Sequence, residues 1–198
     1  MKKTIIFVLI TFFGSLALIL GLGSCKFPPT EEMNRAFDAV MRADNDYDAV
    51  TYAPNTLARA REALGRMQME ADLKRFDEAR SLAAEAVNLA ERAIAEGKTG
   101  AVRARDEAAN LLAIVGRELT ETEAELEAAK NAGGLELDVA SLEQDLAAAK
   151  GGYGDANECL TEEEYLDAIA KADSIRPVLA DIRACINDAA MLATGKKN

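Results

Sequence analysis

The chain has 198 residues, 34 of them acidic and 23 basic, for a formal net charge of −11. That acidity argues against DNA, RNA and anionic lipid headgroups as partners, because each needs a basic footprint. No histidine occurs, so the commonest metal ligand and general base is missing, and any catalysis would fall to carboxylates.

Met1-Lys2-Lys3 opens the chain with positive charge, and Ile5 to Leu22 follows without a charged residue. Small residues Gly23 and Ser24 then precede Cys25. A positive start, an apolar stretch and a small-residue site make a secretory signal. Leu22-Gly23-Ser24-Cys25 resembles the bacterial lipobox. The resemblance implies cleavage before Cys25, acylation of its thiol with palmitate-type chains, and a membrane-anchored, periplasm-facing envelope lipoprotein. The alternative is an uncleaved transmembrane helix, since the apolar run just reaches spanning length. Residues 1–24 are thus read as the signal peptide and residues 25–30 as a tether stiffened by Pro28-Pro29. Lys26 stands where an Asp retains some lipoproteins in the inner membrane, and the choice of leaflet stays open. Residues 25–198 carry a net charge of −13.

From residue 31 on, Ala, Leu, Glu, Arg and Lys dominate, which are strong helix formers, and no stretch alternates as a half-buried strand must. A first helix is predicted over 31–48, with Phe37, Val40 and Met41 along it. A second starts at Pro54, suited to a first helical position, with Leu57, Ala60, Leu64, Met67 and Ala71 on one face. A third runs over 75–96 and stops at Gly97; its stripe is Phe76, Ala79, Ala83, Ala86, Ala90 and Ala93. A fourth, 99–131, ends at Gly133-Gly134 with Ala108, Leu112, Val115, Leu119, Thr122, Leu126 and Ala129 in line. A fifth starts near Asp138 and carries Leu142, Leu146, Ala149, Tyr153, Ala156 and Leu160. A sixth opens on Thr161-Glu162-Glu163-Glu164, read as a capping box. Its seam of Tyr165, Ala168, Ala172, Ile175, Leu179, Ile182, Ile186 and Ala189 repeats in coiled-coil fashion. Pro177 lies off that seam and should kink the helix.

The expected fold is all-α: an elongated antiparallel helical bundle with coiled-coil-like hairpins. It divides into a three-helix unit over 31–97 and a long hairpin or three-helix coil over 99–195. "RFDEARSLAAEA" (75–86) and "EYLDAIAKADSI" (164–175) form an internal echo in which Phe76 matches Tyr165 and Ala79 matches Ala168. An aromatic followed by Ala at a helix start resembles tetratricopeptide-type hairpins. The span 52–94, through Ala53-Pro54, Leu57, Ala60, Leu64, Phe76, Ala79, Leu82-Ala83 and Ala86, resembles the bacterial lipoprotein domain DUF4398. That resemblance implies a helical envelope lipoprotein.

The candidate chemistry reduces to Cys25. Asp44 to Asp48 imitates the start of a calcium loop, but Ala49 and Asn55 stand where the loop needs Gly and Glu. The acids Glu162 to Glu164 are explained by a helix N-terminus. The glycine pairs 133–134 and 151–152 follow no strand and carry no Lys-Ser or Lys-Thr. The serines have no base to activate them. If 161–193 is one helix, Cys159 and Cys185 lie roughly 35–40 Å apart along it, whereas a disulfide needs Cα atoms within about 7 Å; both read as small, partly buried residues. No catalytic, metal or cofactor site is therefore expected. The reading is a non-catalytic scaffold or adaptor for another envelope protein, held to the membrane at Cys25. The alternative is a periplasmic carrier of an apolar small molecule or lipid.

Overall fold

The computed structural model describes residues 27–133 and 135–195. The signal reading of 1–24 and Cys25 itself lie outside the described residues. Within them the protein is all-α, with no strand and six helices in a bundle-like arrangement. No helix among the described residues is long and apolar enough to cross a membrane.

Helix α1 (Thr30–Asp44) has Glu31 and Glu32 in its first turn and Arg42 in its last, each of the sign the helix dipole favours. It ends at Asn45, whose side-chain amide donates to the Met41 carbonyl at 2.9 Å. Asp46 then accepts from the Ala49 amide at 2.9 Å and caps a separate short helix, α2 (Tyr47–Tyr52). The single helix predicted over 31–48 is thus broken in two, because Asn and Asp side chains compete for backbone partners. The inward face of α1 also differs from the expected one. Ala36, Ala39, Val40 and Ala43 are buried, while Phe37 and Met41 stand half exposed.

Helix α3 (Pro54–Asp72) buries Leu57, Ala60, Ala63 and Met67. Its end is a left-handed turn: Lys74 has φ 58°, the Lys74 amide donates to the Ala71 carbonyl, and the Arg75 amide donates to the Glu70 carbonyl, both at 2.9 Å. Those bonds satisfy carbonyls that a helix end otherwise leaves open.

Helix α4 (Phe76–Ala132) runs for 57 residues. The predicted stop at Gly97 does not occur. A Cβ at Gly97 would lie 2.5 Å from the Ala49 nitrogen and the Asp48 carbonyl carbon, and one at Gly100 would lie 2.5 Å from the Tyr52 Cβ. Both glycines mark the close approach of α2 to α4, not a terminus. The helix ends at Gly133, φ 64°.

Helix α5 (Val139–Thr161) is capped by Asp138, which accepts from the Ser141 amide at 3.2 Å. Gly151, Gly152 and Gly154 do not end it. Its exit repeats the turn after α3. Glu163 has φ 66°, and the Glu163 and Glu164 amides donate to the carbonyls of Leu160 and Cys159 at 3.4 and 2.9 Å. The capping box expected at Thr161 is absent: Thr161 is the last residue of α5, and its hydroxyl donates to the Glu158 carbonyl at 2.7 Å. Helix α6 (Tyr165–Gly195) follows, with Pro177 inside it on the exposed side.

The chain divides into two compact units, and the divide falls at Arg92–Ala93 within α4. The first unit takes in α1, residues Asn55–Arg92 and hence nearly all of α3 with the start of α4. There α1 runs parallel to α4 and α3 antiparallel to both. Glu32 meets Arg80 at 3.0 Å and Asp44 meets Arg61 at 2.7 Å. Alanines line the contact: Ala79, Ala83, Ala86 and Ala90 are almost fully buried, and small side chains let backbones come close.

The second unit holds Asp46–Pro54 and the chain from Ala93 on. Its core joins Leu112, Val115, Leu119 and Leu126 of α4 to Leu142 and Leu146 of α5 and to Ile175, Leu179, Ile182 and Ile186 of α6. The seam of α6 is therefore covered along its length. A smaller cluster packs Ala108, Cys159 and Ala168 together. The two cysteines sit on different helices, not along one, and both are free thiols. Cys159 is buried as expected; Cys185 is exposed.

Candidate interaction surface

Along the first unit, α1 and α4 leave an open groove on the side away from α3's buried face. Arg35, Asp38, Met41, Arg42, Val87 and Glu91 border one stretch of about 710 Å³. A second stretch of about 270 Å³ continues it toward the start of both helices, past Glu32, Arg80, Ala84 and Asn88. Arg35 and Val87 belong to both. The floor is alanine and valine because α1 packs on α4 through small residues. The walls are charged because the next position around each helix is solvent-facing.

Ion pairs hold the walls in register. Arg35 pairs with Glu31 one turn earlier on α1, and Arg80 Nε donates to Glu32 Oε1 across the groove. Its own backbone amide, and then the Arg80 guanidinium, hold the Glu32 carboxyl below the usual carboxylate range. Met41 adds a half-exposed thioether to one wall, a flexible apolar contact suited to irregular partners.

The second unit has polar stitching of another kind. Thr122 is the one buried polar residue among the described core. Its hydroxyl donates to the Glu118 carbonyl at 2.7 Å and accepts from Arg183 Nε at 2.9 Å. The other end of that guanidinium donates to Glu121 at 2.9 Å. Lys130 of α4 reaches Glu143 of α5 at 2.6 Å and Glu127 of its own helix at 2.7 Å, and those two carboxylates hold its ammonium above the usual lysine value, Glu127 most strongly. Burial first, then Tyr47 and Asp48, pushes the Tyr52 phenol up where α2 lies on α4.

Charge is divided unequally between the units. Residues 26–45 and 55–92 carry 10 basic and 11 acidic side chains, against 11 and 23 for residues 46–54 and 93–198. The acidity of the whole chain thus belongs almost entirely to the second unit.

The residues singled out in the sequence are accounted for locally. Asp44 pairs with Arg61, and Asp46 caps α2. Glu163 and Glu164 form the turn after α5. Among the described residues, no group of three or more Cys, Asp or Glu side chains converges as a metal site. Sequence reasoning missed the Arg80–Glu32 and Arg183–Thr122 pairs. Their members lie 48 and 61 residues apart, beyond the reach of i, i+4 patterns.

Residues 31–111 match the family described as domain of unknown function DUF4398. The match takes in the groove, the close approach at Gly97 and Gly100, and α4 as far as Leu111. No curated protein and no solved structure matches the chain. The part of the chain that is similar to this family is thus built from α1, α2, α3 and the first part of α4.

Proposed function

We propose that this is a lipid-anchored envelope protein, acylated at Cys25, whose helices serve as a non-catalytic scaffold or adaptor for another envelope protein. The observation that carries it is where the fold begins. Pro29 is already buried and α1 starts at Thr30, five residues past a cysteine in lipobox-like context. A tether that short keeps the DUF4398 domain within roughly 18 Å of the anchored thiol. Two or more acyl chains on one cysteine would make the attachment durable.

The adaptor role is supported by the packing. Alanine-lined contacts bring helices close together and leave open, charge-walled grooves outside. A carrier of apolar molecules calls for the opposite: a closed cavity walled by large apolar side chains.

Metabolic labelling with a palmitate analogue tests the anchor. Wild type incorporates the label and Cys25→Ala does not; label persisting in the variant rules out lipidation at that position. In-membrane cross-linking followed by purification tests the adaptor role. One recurrent envelope protein is expected, and its loss on Arg35→Glu/Arg42→Glu would place the contact on the α1–α4 groove.

A further inference from the structure

We propose that one end of the first unit rests on the bilayer and sets Phe27 and Leu73 into the membrane interface. This rests on the lipid-anchor reading and adds which surface faces lipid. Three parts of the chain meet at that end. α1 starts there at Thr30, and Glu32 in its first turn pairs with Arg80, one turn into α4. The turn that joins α3 to α4, Leu73-Lys74-Arg75, immediately precedes Phe76 and lies at the same end.

This end exposes large apolar side chains. Phe27 is 81 % exposed, Leu73 58 %, and Met69, in the last turn of α3, 64 %. The left-handed residue at Lys74 holds Leu73 at the tip of the turn. Elsewhere in the unit Leu57, Met67 and Leu82 are buried, and the other exposed large apolar side chains, Phe37 and Met41 of α1, are less open at 47 % and 46 %.

The course of the chain identifies the occupant. The apolar run Ile5–Leu22 ends just before Cys25, and Phe27 is two residues past that thiol. Two residues span at most about 7 Å, so acyl chains in the bilayer bring Phe27 to the headgroup boundary. Leu73 shares its end of the unit. The contact is apolar and not a charge attraction to anionic lipid, because Lys74 and Arg75 share this end with Glu31, Glu32, Asp72 and Asp77. Arg75 already pairs with Glu70 at 3.2 Å.

The test uses the full chain, purified from membranes, with a fluorescent amino acid at position 73 or at position 59. Position 59 lies on α3 roughly 20 Å toward the opposite end. Each protein is reconstituted into phosphatidylcholine vesicles that contain nitroxide-headgroup lipid, and flotation reports anchoring separately. Interfacial apolar groups settle about 5–10 Å into the headgroup boundary, so emission at 73 should fall at least about twofold while 59 changes little. Floating protein with no quenching at 73, or equal quenching at both positions, overturns the proposal and leaves the anchor standing. Protein that does not float overturns both. Shielding of position 73 in native membranes without quenching in lipid vesicles overturns the proposal in favour of a protein contact at this end.

Discussion

Arg183 Nε donates to the hydroxyl of Thr122 at 2.9 Å, joining α6 to the one buried polar residue of the described core of α4. Either residue alone would be awkward at an apolar seam; together they fix one alignment of the two helices. A polar pair of this kind specifies register more than it stabilises. Arg183→Ala should lower stability by about 1–2 kcal/mol, since Thr122 keeps its bond to the Glu118 carbonyl. Thr122→Val, of similar volume, should stay within about 1 kcal/mol of wild type yet broaden the NMR lines of α4 and α6 as alternative alignments become accessible. Urea unfolding gives the first quantity and amide spectra the second. Sharp, unchanged spectra for Thr122→Val would remove the register role.

Two helical glycines should respond to alanine with opposite sign. Gly65 has nothing within 4 Å of where a Cβ would stand. Gly65→Ala should raise stability by about 0.5–1 kcal/mol through helix propensity alone. At Gly97 the same change places a methyl 2.5 Å from the backbone of Asp48 and Ala49. There the clash outweighs propensity, and a loss of about 2 kcal/mol is expected as α2 is pushed off α4. Parallel denaturant titrations of the two variants decide the matter, and a gain at Gly97 would mean that α2 is not seated as described.

The turns after α3 and α5 place Lys74 and Glu163 in the left-handed region. An L-residue there costs roughly 1 kcal/mol, and glycine relieves that cost. Lys74→Gly and Glu163→Gly should each stabilise by about 0.5–1 kcal/mol, net of the flexibility glycine adds to the unfolded chain. Thermal melts of the single and double variants provide the check, with additive gains expected because no partner is shared.

The pH response follows from two groups shifted in opposite directions. The Glu32 carboxyl titrates below its usual range, so its pairing with Arg80 contributes above the unfolded carboxylate value and is lost as pH falls through the lowered one. Lys130 titrates above its usual value of 10.5. Its pairing is complete below that value and is lost only as pH rises past the raised one. Carbon-detected NMR of Glu32 should show a depressed midpoint in wild type and a higher one in Arg80→Ala. The same midpoint in both would remove the cross-groove bond as a cause.

Much of the packing was legible in the sequence. The stripes from Ala79 to Ala93, from Ala108 to Ala129 and from Ala168 to Ala189 are buried as their spacing predicts, because i, i+3 and i+4 positions share a helix face whatever lies opposite. The match of Phe76 with Tyr165 extends to the backbone, where each follows the same left-handed turn. Helix ends were less legible. Gly97 looks like a stop until the backbone of α2 is seen against it, and Asn45-Asp46 breaks a helix through side-chain bonds that compete narrowly with continued winding. Thr161 suits a cap or a last turn equally, and its donation to Glu158 decides for the latter. The groove walls were hidden because each depends on residues brought together from α1 and α4.

The unequal sharing of charge gives one polypeptide two electrostatic temperaments. Between Ala93 and the C-terminus like charges crowd, so dissolved cations should gather there and ease a self-repulsion that grows as the medium is diluted. The stretch nearest Cys25 is balanced and largely indifferent to ionic strength. A fall in ionic strength should therefore strain the chain from Ala93 on, while the balanced first unit changes little.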